Sequence, residues 1–197
     1  MLRIRLKCRP IALSIGFILM AILALSGAGS AFADGGGSGS TTITGGSLSE
    51  TDAGPTVGNV TLNGLDKSVA ITMPLTVIDA TGSGSGWNVT ITSTTFSTSG
   101  GTPHTLSTTA TTVSNITQAC HTGSTCTSAT NSVSYSPTAL TVPAGSSAPT
   151  AVKLFNAALN TGMGEIDLTP TVSVALPANI YAGTYSSTIT LAIVSGP

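Results

Sequence analysis

From Val57 onward the chain is a succession of short stretches in which apolar and hydroxyl-bearing residues alternate. The sharpest is the last, where Tyr185, Ser187, Ile189, Leu191 and Ile193 fall on one face and Thr184, Ser186, Thr188 and Thr190 on the other. Alternation with a period of two marks a strand buried on one side and wet on the other. Trp87, Val89 and Ile91 repeat the pattern against Asn88, Thr90 and Thr92, which places the only tryptophan of the chain in phase with core positions. The alternation predicts strands over 57–62, 68–78, 87–96, 105–113, 132–135, 140–142, 152–154, 166–176 and 184–194. Glycine- and proline-rich breakers separate them, among them "SGSG" before Trp87, "VPAGSSAP" at 142–149 and "NTGMG" at 160–164. No segment has the length and 3.6-residue stripe of a crossover helix; 151–160 fits a short helical turn or a strand end. The expected fold is an all-β antiparallel sandwich, with Pro74 and Pro170 marking edges or bulges.

The first residues follow another pattern. Arg3, Arg5, Lys7 and Arg9 precede an apolar run from Ile11 to Leu25, and Ala31-Phe32-Ala33 supplies the small-x-small signal for cleavage before Asp34. This is the form of an export signal at residues 1–33, and the apolar run is short of the roughly 20 residues a spanning helix needs. No stable membrane anchor is expected after cleavage. Residues 34–47, rich in Gly, Ser and Thr, read as a flexible leader to a single domain over 48–197. Removal of the signal leaves Lys67 and Lys153 against seven acids, a net charge near −5. Such a chain lacks the cationic footprint that nucleic acid requires. Charged residues make up only 7% of the sequence, but the abundance of Val, Ile, Leu and Thr argues for sheet rather than disorder.

Cys8 leaves with the signal, so Cys120 and Cys126, around a glycine in "ACHTGSTC", remain for a small disulfide loop outside the cytoplasm. His121 alone adds too few ligands for a metal centre, and no metal or cofactor is expected. His104 and His121 lie in loops with no acid beside them in sequence, so neither has the partners of a nucleophile system, and no catalytic residue is assigned. Glu165 and Asp167, like Glu50 and Asp52, are two apart on one strand face; a solvated edge that discourages sheet-to-sheet pairing is the expected role. Asp79 stands where a strand gives way to a Gly/Ser loop and is placed to hold that turn.

Three stretches, "LTVIDATGSGSGWNVTITSTTF", "AALNTGMGEIDLTPTVSVALP" and "AGTYSSTITLAIVSGP", taken in this order, resemble the WxL domain family of bacterial cell-surface proteins. The resemblance implies an exported domain that associates non-covalently with the cell wall through peptidoglycan. Trp87, Asn88 and Val89 then form the wall-binding motif, with Val89 where the family has Leu. Leu191, Ala192 and Ile193 occupy the place of the family's second Trp-x-Leu, which here has lost its aromatic residue. The functional expectation is a secreted surface protein bound to peptidoglycan or another wall glycan, with other surface proteins as a further class of partner. The alternative is a structural subunit of a surface layer or filament, whose Thr-rich strands pair edge to edge.

Overall fold

The computed structural model describes residues 41–197. The expected export signal and residues 34–40 of the expected leader lie outside the described residues. From Ile43 to Pro197 the chain forms one compact unit built of strands, with no helix among the described residues. The first six strands are β1 (Leu48–Asp52), β2 (Thr56–Val57), β3 (Lys67–Thr72), β4 (Leu75–Asp79), β5 (Trp87–Thr94) and β6 (Ser97–Thr98). They are followed by β7 (Thr111–Cys120), β8 (Leu140–Thr141), β9 (Ala144–Gly145) and β10 (Val152–Ala157). The last three are β11 (Gly164–Leu176), β12 (Tyr185–Ser186) and β13 (Ile189–Ser195).

The larger sheet is organised around β11. One side of β11 pairs antiparallel with β4 over its first half and β3 over its second, and these carry β1 and β2 on their far edge. The other side pairs with β7, which in turn carries β8. Residues 67–79 are thus one line of chain interrupted at Met73-Pro74, and residues 48–57 are another, interrupted before Pro55. These breaks align with Thr169 and Pro170 of β11, which have no register partner in β3 or β4, and with a register shift against β7 between Thr171 and Val172. The result is a proline-lined crease that bends the sheet. His121 N donates to Glu165 O at 2.9 Å, so the odd-numbered residues in this part of β11 bond toward β7 and the even ones turn the other way. Pro170 therefore turns its donor-less nitrogen to the gap at Met73-Pro74, where no ladder bond is lost. Of the two roles expected for it, edge or bulge, it has the second: it marks an irregularity in a central strand.

The second sheet has the order β10-β5-β13, with β9 adding a short parallel pairing to the end of β5. The small β6–β12 pair completes the set. Between the sheets lies one core that includes Leu75 and Val77 from β4, Trp87, Val89 and Ile91 from β5, Leu154 and Phe155 from β10, and Ile166 and Leu168 from β11. Each such side chain contributes roughly 1.5–3 kcal/mol when fully buried.

The predicted strands differ from the observed ones where tertiary pairing overrides local pattern. Of 57–62 only Val57 is in a strand, because the Gly- and Asn-rich residues after it lie exposed. The strand expected at 105–113 instead begins at Thr111 and runs to Cys120, beyond its own apolar alternation, held by its ladder with β11. Residues 132–135 form no strand. Residues 152–157 settle as strand β10, and the C-terminal run is divided between β12 and β13.

Candidate functional site

Trp87 is at the start of β5 because Gly86, at φ +70°, turns the chain out of the "SGSG" loop in a conformation that L-residues avoid. The indole is 0% exposed. Its Nε1 donates to Gly162 O at 2.8 Å, and its ring stacks on Phe155 with centroids 5.8 Å apart. Gly162 has φ +75°, and a Cβ added there would stand 2.8 Å from the indole nitrogen. The ring edge therefore pins the "NTGMG" turn to β5, and it is the core position that the alternation predicts. Val89 is buried beside it. Asn88 turns to the other face and donates from Nδ2 to Gly196 O at 2.8 Å. Neither Trp87 nor Val89 presents side-chain surface to a ligand in solution.

The two motif positions suggested by the family resemblance are neighbours in space. In the β5–β13 ladder Leu191 lies opposite Ile91, Ala192 opposite Thr90 and Ile193 opposite Val89. Leu191 and Ile193 pack half-buried against the rim of the core, and Ala192 is exposed on the outer face.

Cys120 and Cys126 form the expected disulfide, with Cα atoms 5.5 Å apart. The loop it closes brings together side chains far apart in sequence. His121 Nδ1 is 2.9 Å from Asp167 Oδ1, and its Nε2 is 3.8 Å from Glu165 Oε1. Ser124 Oγ donates to Glu165 Oε2 at 2.9 Å, and Thr76 Oγ1 to Asp167 Oδ1 at 2.8 Å. His121 thus has in space the acid it lacks beside it in sequence, because the β7–β11 register delivers one from 46 residues away. The hydrogen bond to Asp167 holds the imidazole above its ordinary value, aided by the charges of both acids and opposed by slight burial. The same bond, with that from Thr76, holds Asp167 below the usual carboxylate range. The serine bonds the glutamate and not the imidazole, so the group is a polar clasp on the outer face of the sheet. Glu165 and Asp167 belong to a central strand and not to an edge.

Glu50 and Asp52 do lie on an edge strand, β1. Glu50 Oε2 is buried without a hydrogen-bond partner among the described residues. Burial pushes the Glu50 carboxyl up, and the charge of Asp52 adds to it. Asp79 holds its turn as expected, accepting from Thr81 N at 3.0 Å and Thr81 Oγ1 at 2.6 Å.

A cleft of about 520 Å³ opens between residues 57–62, β3, the end of β11 and residues 180–185. Its wall is mainly aliphatic, with Val69, Leu106, Val174 and Leu176 among its residues, and carries Phe96, Tyr181 and Tyr185 as aromatic members, Asn59 among its polar groups and no charged side chain. Tyr181 keeps 63% of its surface exposed, braced by His104, whose ring lies 3.7 Å away and nearly parallel. Tyr185 Oη donates to Tyr181 O at 3.0 Å, which fixes the Gly183-Thr184-Tyr185 segment as one wall.

No family model, curated protein or solved structure matches this chain. The geometry thus offers three places for chemistry: the buried Trp87 pin, the His121 clasp and the uncharged cleft. Sequence reasoning missed the last. A signal for it existed in the pair Tyr181 and Tyr185, two of three tyrosines, set four apart in a breaker segment.

Proposed function

We propose that this protein is an exported cell-surface β-sandwich that associates non-covalently with peptidoglycan or another wall glycan, and that it does so through the uncharged cleft. The observation that carries the reading is an uncharged cleft that gathers Phe96, Tyr181 and Tyr185 in a mainly aliphatic wall, in a domain whose described residues hold only two cations, Lys67 and Lys153. A sugar ring presents C–H faces that pack on an aromatic ring and hydroxyls that bond to neighbouring polar groups, and it needs no ionic partner. The volume falls within the usual range for small-ligand sites. The cleft wall includes the Gly183-Thr184-Tyr185 segment, one of the stretches that resemble the WxL domain family, but not the Trp87-Asn88-Val89 motif to which that resemblance assigns wall binding. Trp87 then supports the domain from within. The disulfide is in keeping with an oxidising, extracellular compartment. The reading is of a binding protein rather than an enzyme.

Co-sedimentation with purified peptidoglycan tests this. The wild-type protein is expected to be depleted from solution, and Tyr181→Ala to bind about 2- to 10-fold more weakly, the loss of one aromatic contact. No depletion of the wild type overturns the reading; equal depletion of Tyr181→Ala removes the cleft from it.

A further inference from the structure

The sandwich is bridged by a chain segment on one side; on the other, β1 and β13 lie near each other with no ladder hydrogen bonds between them. On the first side, residues 126–135 bridge the edge of β7 and the edge of β10. Gln118 exchanges two hydrogen bonds with the backbone of Ala129, Asn156 N donates to Asn131 Oδ1, and Tyr135 Oη donates to Leu154 O. On the second side β1 carries Glu50 and Asp52, and β2 is two residues long and follows Pro55. Acids, a proline and shortness are all means of discouraging added strands. β13 has none of them: Ile-Thr-Leu-Ala-Ile-Val-Ser bears no charge and no proline, and its register with β5 runs without a bulge.

The backbone of β13 is open as well. Thr94 N donates to Thr188 O, and Gly196 N to Gly86 O, so even-numbered residues bond toward β5 and Ile189, Leu191, Ile193 and Ser195 turn their N–H and C=O outward. Among the described residues no strand pairs with them. The side chains of Ile189, Leu191 and Ile193 are only half-buried at the core rim, and Val194 is 52% exposed.

We propose that β13 is a self-association edge, at which two copies of this chain pair β13 with β13, antiparallel, about a two-fold axis through Ala192. In this register Leu191 lies opposite Ile193 of the second copy and Ile189 opposite its Ser195, so the open backbone groups of both edges are matched. Ala192 meets its own copy at the close, non-hydrogen-bonded spacing of about 4.5 Å between Cα atoms, where a methyl group fits and a charge does not. Thr190 lies opposite Val194 on the outer face. The half-buried rims of the two cores become continuous. A two-fold contact of this kind closes on itself, so it yields a dimer and not a filament.

Sedimentation of the exported protein over a concentration series, with Ala192→Lys and Ala192→Cys, tests the proposal. The wild type is expected to dimerise, and Ala192→Lys to weaken dimerisation by about tenfold or more through like charges at the axis. Circular dichroism of that variant should be unchanged, because Ala192 is exposed and outside the core. Ala192→Cys should give, on oxidation, a dimer cross-linked through residue 192, since the axial spacing suits a disulfide. A wild type that stays monomeric at every concentration overturns the proposal. So does a dimer that Ala192→Lys leaves intact and Ala192→Cys fails to cross-link, and so does growth beyond the dimer.

Discussion

Trp87 shows how one residue can satisfy two sequence patterns and one structural role. The alternation along β5 demands a core side chain there, and its indole answers with full burial, a stack on Phe155 and a hydrogen bond to Gly162 O. Trp87→Phe keeps an aromatic ring but leaves that carbonyl without its donor and a void beside it. The expected cost is about 2–3 kcal/mol in urea denaturation followed by circular dichroism; a loss below about 0.5 kcal/mol would show that the pin is not needed. His121 carries the pH dependence of the outer face. Its imidazole is raised on folding, so its contribution is full below about 6.5 and is lost as pH rises through the folded value. Asp167 is lowered, so its contribution is full above the ordinary carboxyl range and is lost as pH falls through its folded value. The clasp is thus strongest in the mildly acidic window between the two. An NMR titration should place the His121 midpoint above 6.5, and Asp167→Asn should bring it back toward that value; a midpoint indifferent to the substitution would mean the ring titrates as a free one.

At the level of elements, strands with strong alternation were legible, and those held by partners were not. The strands led by Trp87, Ile166 and Ile189 carry their own apolar faces, and their existence follows from period alone. The second half of β7, Ser114 to Cys120, has few apolar positions and is a strand because β11 lies beside it. Residues 132–135 carry strand-like residues, yet their neighbourhood closes two sheet edges through the side chains of Asn131 and Tyr135, an arrangement no local period announces. The acids at 165 and 167 were legible as a pair on one face, but their partner His121 arrives through a ladder that sequence spacing does not encode. The disulfide anchors the start of this bridging segment to β7. Its short span, with cysteines six apart, gives an expected stabilisation of about 2 kcal/mol. Replacing both cysteines with serine should lower stability by about that amount and speed amide exchange at Ala129 and Thr127; unchanged exchange would show that the hydrogen bonds of the segment hold the bridge without the disulfide.

For the whole molecule, composition and pattern sufficed for an all-β antiparallel sandwich, and the proline crease explains why its larger sheet curls. The place for a ligand was less legible, because a cleft is made by elements distant in sequence: residues 57–62, Phe96, Leu106 and the segment from Ile180 to Tyr185 meet only in the fold. The motif that resembles a wall-binding signature proved to be interior at Trp87 and Val89, while the exposed aromatic surface gathered at Tyr181. The proposed wall contact and the proposed dimer edge occupy different residues and are separable by mutation. The most direct test of the wall contact is NMR titration of the isotopically labelled protein with soluble peptidoglycan fragments. Resonances of Tyr181, Tyr185 and Asn59 should shift progressively while the Trp87 indole N–H stays in place; shifts confined to β5 and β13, or none anywhere, would contradict it.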